Sequence, residues 1–300
     1  FRNNDQIWDK RNIDAVFIGD SFTHGACVEE KDTFSGIANS NGISTINLGM
    51  GGTGSIIQLG ALKEYIINNN VRPKYIIWIY YSSDFGDNYE ENKSALLRNY
   101  IKDKSFSQRL VDKNKLKDNL IKKMHRKYLK NAKEESESSN KIKIYSKISN
   151  ELIKNLSTII RLVETRYALM NLFNLETPEL NSKEKIDIFK NVLFRFKEEA
   201  KDINSKIIFV YLPSWYEFHH KSHDGSNPKN NNYRKRKDIL EIVEKNNIPI
   251  INLRDLLLEN GKKNAKSFYN YGLYGHFNPE GYKKVGRYII DNIRLIEDRN

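Results

Sequence analysis

A chain of 300 residues, 39% hydrophobic and 29% charged, has the length for one large or two small domains and the composition of an ordinary globular protein. No apolar stretch approaches the roughly 20 residues that a membrane-spanning helix requires, and the single cysteine, Cys27, excludes an internal disulfide. The net charge of +12 is concentrated in one segment: residues 101–147 hold 15 Lys/Arg against 6 Asp/Glu. A local excess of this kind reads as a solvated basic face or a surface for anionic partners, and argues against nucleic acid as the ligand.

The apolar runs alternate with helical patterns. A first strand is expected at Asp14–Asp20, a second at Ser44–Met50, a helix over Ser55–Asn69 and a third strand at Tyr75–Tyr81. These strands are short, continuous and rich in Ile, Val, Phe and Tyr, as strands buried on both faces are. The interval 90–203 interrupts the alternation with helical patterns at Asn92–Ile101, Gln108–Lys133, Lys143–Asn174 and Ser182–Asp202, and a polar link at Glu134–Asn140. Within it Leu116, Leu120, Met124 and Tyr128 recur every four residues, the stripe of a basic amphipathic helix. The alternation resumes with a strand at Lys206–Pro213, a helix at Tyr233–Lys245, a strand at Ile248–Arg254 and a final helix at Pro279–Ile296. Asn278 is placed to cap that helix, and Pro279 suits its first turn. Strand and helix alternating over short connections predict a doubly wound parallel sheet, in which sites form at the carboxyl ends of strands. Ser21, Gly51-Gly52, Ser82-Ser83-Asp84 and Ser214-Trp215 all follow predicted strand ends.

Ser21 lies in Gly19-Asp20-Ser21-Phe22-Thr23-His24-Gly25, directly after the first strand. A serine becomes a nucleophile when a base takes its proton, and a strand-end turn exposes its hydroxyl beside backbone N–H groups. Gly49-Met50-Gly51-Gly52-Thr53-Gly54 is a second turn of this kind, suited to an anion; no Walker lysine or dinucleotide spacing accompanies it. The base is expected from Gly275-His276-Phe277-Asn278-Pro279-Glu280-Gly281-Tyr282, with His24 a rival only three residues from Ser21. His219, His220 and His223 match no tight zinc spacing, so neither a metal nor another cofactor is expected. Cys27 is expected to be a half-buried, unreactive thiol.

Together these blocks resemble the SGNH (GDSL-type) hydrolase superfamily of esterases, lipases and carbohydrate acyl esterases. The resemblance covers residues 12–89 and 205–297, with 90–203 as an insertion. It implies an α/β fold, a flavodoxin-like three-layer α/β/α sandwich of about five parallel strands with a helical insertion, in a single domain over 1–300. It also implies Ser21 as nucleophile, His276 as base, and oxyanion donors at the N–H groups of Ser21 and Gly52. Two positions depart from the family pattern. Ser83 stands where the third block usually has an Asn donor, and Leu273 and Tyr274 stand where an Asp usually orients the histidine.

The wording GDSFTHGACV and LYGHFNPEGY resembles a bacterial subgroup linked to glycan and capsule biosynthesis. The expected function is therefore that of a serine esterase or O-acyltransferase acting on acylated carbohydrate or another small ester, through a Ser-His dyad and a reduced oxyanion hole. Trp215, Tyr216 and Tyr274 are the candidates for substrate contact. The competing expectation is an impaired member of the fold that binds glycan or assists assembly. The chain begins at Phe1 rather than Met, which leaves an upstream anchor and an extracytoplasmic location open.

Overall fold

The computed structural model describes residues 1–113, 118–119, 122–127, 182–219, 231–259, 262–273 and 275–298. Five strands form one parallel sheet: β1 (Asn12–Gly19), β2 (Thr45–Asn47), β3 (Arg72–Tyr81), β4 (Lys206–Leu212) and β5 (Ile250–Asn252), in the order β2-β1-β3-β4-β5. This is the flavodoxin-like order, whose topological switch lies between β1 and β3.

Period-2 alternation sends the strand side chains into two cores. Val16 and Ile18 of β1, Ile76, Trp78 and Tyr80 of β3, and Ile207, Phe209 and Tyr211 of β4 share one face. Ala15 and Phe17, then Tyr75, Ile77, Ile79 and Tyr81, then Ile208, Val210 and Leu212 share the other. The first face is covered by α3 (Ser55–Tyr65), α5 (Ala95–Lys102), α6 (Ser182–Asp202) and α8 (Asn231–Lys245). The second is covered by α2 (Phe34–Ser40), α9 (Leu253–Leu258) and α11 (Pro279–Asp298). The result is a three-layer α/β/α sandwich. Further helices are α1 (Ser21–His24), α4 (Asp84–Asn92), α7 (Tyr216–His219) and α10 (Lys262–Ser267).

Two strands are shorter than their apolar runs, and each has an asparagine as its last residue. The Asn47 carboxamide oxygen takes the Gly49 N–H at 2.8 Å and turns the chain out of β2. That of Asn252 takes the Arg254 N–H at 3.2 Å and starts α9 in the middle of the run read as one strand over Ile248–Arg254. Helix α4 has no counterpart among the expected elements because DFGDNYEEN carries no apolar stripe. It is separated from α5 by Ser94, whose hydroxyl caps α5 at Leu97 N.

The chain divides into two compact units, 1–109 with 183–300, and 110–182. Within the interval 90–203, α5 and α6 belong to the sandwich unit. Ile188, Phe189, Val192, Leu193 and Phe196 of α6 are buried in the first core, and Phe196 stacks on the fully buried Trp78 with ring centroids 4.1 Å apart. The expected helix Lys143–Asn174, the link Glu134–Asn140 and residues 114–117, 120–121 and 128–133 of the expected helix Gln108–Lys133 lie outside the described residues, as do Leu116, Leu120, Tyr128, His220, His223 and Tyr274. That helix does not begin at Gln108, since 108–113 is turn and irregular chain with Arg109 in the left-handed region (φ 51°). Met124 is described and exposed. Cys27 is exposed rather than half-buried, because its left-handed backbone (φ 70°) turns it out after α1.

Among the described residues no helix is long and apolar enough to cross a membrane. Replacing Phe196 by Ala removes a stacked ring from the first core and leaves a cavity, so Phe196→Ala should cost about 3–5 kcal/mol in urea unfolding. A change below 1 kcal/mol would mean that α6 does not belong to this core.

Candidate active site

Ser21 opens α1 just past the end of β1. Asp20 caps that single turn, with Oδ1 accepting from Phe22 N at 2.9 Å. This cap rolls the chain sharply at the strand end and leaves the Ser21 side chain partly exposed. His276 meets it from the other end of the chain, with Nε2 2.8 Å from Ser21 Oγ. Asp20 Oδ2 is 3.5 Å from the same hydroxyl. The hydroxyl has one proton to donate, and the shorter contact gives it to the imidazole.

The loop carrying His276 is fixed by its neighbours. Tyr269 and Phe277 form an isolated antiparallel bridge that closes the loop at its base. Asn278 Nδ2 donates to the Ser267 and Tyr269 carbonyls (2.9 and 3.1 Å), and its Oδ1 caps α11 at Gly281 N (2.7 Å). Phe277 is fully buried and packs edge-on to Phe22, the residue after Ser21, at 5.0 Å. The buried Tyr282 hydroxyl donates to the Phe22 carbonyl at 3.0 Å. The Phe-Asn-Pro-x-Gly-Tyr run thus holds His276 against the Ser21 turn.

Asn47 links the first and second turns. Its Nδ2 donates to the Thr23 carbonyl at 2.9 Å, while its Oδ1 holds Gly49 N. Met50 N donates to the Gly19 carbonyl at 3.1 Å, and a Cβ on Gly51 would stand 3.6 Å from Ser21 Cβ, so the glycine-rich turn runs alongside Ser21. Gly52 has φ +71°, a conformation that would strain any residue with a Cβ. Ser83 is exposed at the end of β3, directly before α4, and its hydroxyl makes no cap bond.

Other expected residues are used differently. His24 turns its Nδ1 to the Gly49 carbonyl at 3.3 Å. Trp215 is half-buried and packs against the second core. Tyr216 falls in α7, with its side chain outside the described atoms. Among the described residues no carboxylate is bonded to His276. Leu273, where the family's acid is expected, is 63% exposed and supplies no acceptor.

Burial holds the His276 imidazole below its usual 6.5, which favours the neutral, proton-accepting form at pH 7. Behind the two turns lies a group of carboxylates that sequence reasoning missed. Burial pushes Asp20 up to about 6 and Glu91 to about 7, and raises Asp84 well above the usual range. Asp84 is also raised by the charge of Asp20, and its Oδ2 accepts from Gln58 at 3.0 Å. A polar helix such as DFGDNYEEN gives no pattern by which these roles could be found. No group of three or more His, Cys, Asp or Glu among the described residues is arranged to hold a metal ion.

No protein-family model matches the sequence, and no curated protein does. Solved structures to which the chain is similar include a GDSL-like lipase from Bacteroides thetaiotaomicron, 15% identical, covering 99% of this chain and 92% of that one, with a TM-score of 0.46. A lipase/acylhydrolase from Enterococcus faecalis is 14% identical, covers 95% of each chain and has a TM-score of 0.43. A two-domain esterase active on acetylated mannans is 10% identical, covering 98% of this chain and 52% of that one, with a TM-score of 0.48. In its sequence blocks, and in the strand ends that carry them, the chain resembles the SGNH (GDSL-type) hydrolase superfamily.

Proposed function

We propose that the protein is a serine esterase or O-acyltransferase acting on acylated carbohydrate through a Ser21–His276 dyad. The observation that carries this reading is the 2.8 Å contact between Ser21 Oγ and His276 Nε2, two residues 255 positions apart. A hydroxyl at a strand end, facing a neutral imidazole, is the arrangement that acyl transfer needs.

Ser21 Oγ attacks the acyl carbonyl carbon as His276 Nε2 takes its proton. The carbonyl oxygen becomes an oxyanion, held by the N–H groups of Ser21 and Gly52, with the uncapped Ser83 hydroxyl as a third donor. As the intermediate collapses, the imidazolium returns the proton to the leaving sugar oxygen, and the acyl group stays on Ser21. His276 then takes a proton from water, giving hydrolysis, or from a second sugar hydroxyl, giving transfer. The glycan assignment rests on the wording of the Ser21 and His276 blocks. Substrate-contact roles for Trp215 and Tyr274, and for Tyr216, belong to the same proposal.

Turnover through this dyad should be slow. Loss of one oxyanion donor costs on the order of 10²–10³ in rate in comparable enzymes, and loss of the orienting acid about 10⁴. The exposed Leu273 and the Ser83 replacement also favour a second reading, a glycan-binding or assembly protein that keeps the fold without turnover.

Covalent labelling separates the two. A fluorophosphonate should add one adduct to the wild-type protein and none to Ser21→Ala, read by intact mass. Equal labelling of both removes Ser21 as the nucleophile, and no labelling of the wild type favours the binding reading. The labelling rate should also rise with pH through an inflection below 6.5, since His276 must be neutral to accept the proton. A profile with no inflection below 6.5 and a single one above 7 would mean that another group is the base.

A further inference from the structure

The backbone that runs beside Ser21 is soft: four of the six residues from Gly49 to Gly54 are glycine. Helix α3 starts where this turn ends, and Gly54 has no side chain with which to cap it. A helix leaves four N–H groups unsatisfied at its start. Here all four are taken by two side chains from α4. Glu91 Oε1 accepts from Gly54 N at 2.6 Å, and its Oε2 from Ile56 N and Ile57 N at 2.9 and 3.2 Å. Asn88 Oδ1 accepts from Ser55 N at 2.5 Å. The absence of a Cβ at Gly54 permits this approach, since one would stand 2.9 Å from Asn88 N and Oδ1.

The same junction is tied from a second side. Gln58 Nε2 donates to the Thr53 carbonyl and to Asp84 Oδ2, both at 3.0 Å, and its Oε1 accepts from Trp78 Nε1 at 2.8 Å. Thr53 Oγ1 donates to the Met50 carbonyl at 2.7 Å. The turn is therefore anchored to β1 at Met50 and to α4 at Gly54, with Gly51 and Gly52 between the anchors.

We infer that Glu91 is a positioning residue for acyl transfer: by holding Gly54 and the first turn of α3, it fixes the Gly51-Gly52 backbone beside Ser21. This rests on the reading of Ser21 as nucleophile. Oxyanion donors are effective when they need no reorganisation as charge develops, and a glycine-rich turn does not supply that rigidity itself. A carboxylate suits the task because its two oxygens accept from three N–H groups at once, and ionised acceptors make the shorter, stronger bonds. Glutamine offers one oxygen and sets an NH₂ group against N–H donors, so Glu91→Gln keeps the shape and breaks the clamp.

A matched control lies at the other end of α3. Glu64 is buried and accepts from Tyr100, Ser107 and Gln108, away from the turn. With p-nitrophenyl acetate, Glu91→Gln should lower kcat about 10- to 100-fold at unchanged KM and slow fluorophosphonate labelling of Ser21 in parallel. Glu64→Gln should lower Tm and leave kcat unaltered. Amide hydrogen exchange over residues 49–57 should accelerate in Glu91→Gln alone. If both variants lose Tm and neither loses kcat, the positioning role is overturned. If the wild type neither hydrolyses ester nor labels at Ser21, the functional reading fails instead. Exchange then decides the clamp by itself: equal protection of 49–57 in Glu91→Gln and wild type overturns it.

Discussion

The candidate site depends on the contact between the Ser21 turn and the start of the last helix. Phe22 and Phe277 are buried against each other, and the Tyr282 hydroxyl satisfies the Phe22 carbonyl from α11. Neither Ser21 nor His276 is deeply enclosed, so their 2.8 Å separation is set by the residues that follow them in sequence. The Phe22 carbonyl also accepts from Gly25 N, but a buried hydroxyl left without a partner costs about 1–3 kcal/mol, which makes the Tyr282 bond a strong constraint on register between α1 and α11. The parallel pairing of β1 with β3, from Asn12–Arg72 to Gly19–Ile79, places this assembly at the switch point of the sheet.

The electrostatics around the Ser21–His276 pair are dominated by buried carboxylates. Asp20, Asp84 and Glu91 stand behind the two turns; burial raises all three, and at Asp20 and Glu91 the backbone N–H groups from which they accept oppose it by favouring the ionised form. A neutral Asp84 lessens the field that developing negative charge would meet. The carboxylates instead act as acceptors for backbone: Asp20 for Phe22, Glu91 for the start of α3. Negative charge is thus spent on shaping the turns.

Much of this was legible in the sequence. Short runs of β-branched and aromatic residues located all five strands, and the order of the Ser and His blocks brought Ser21 and His276 together. Period-3.6 patterns placed α3, α6, α8 and α11. The misses share a cause, since polar side chains bonding to backbone leave no periodicity. Asn47 and Asn252 cut two strands short, and α4 went unseen because its contacts are made by Asp84, Asn88 and Glu91. The role of His24 was decided by where a carbonyl, Gly49, happens to lie.

Cys27 stands six residues after Ser21, exposed and in a left-handed turn, just past Gly25 and Ala26, whose N–H groups bond to the Ser21 carbonyl. It is the only thiol in the chain. A small fluorophore attached there would sit on the Ser21 turn with no competing attachment point, and its emission would follow changes in that turn as candidate ligands are added. The protein therefore carries a built-in handle for watching its site in solution without any engineered residue.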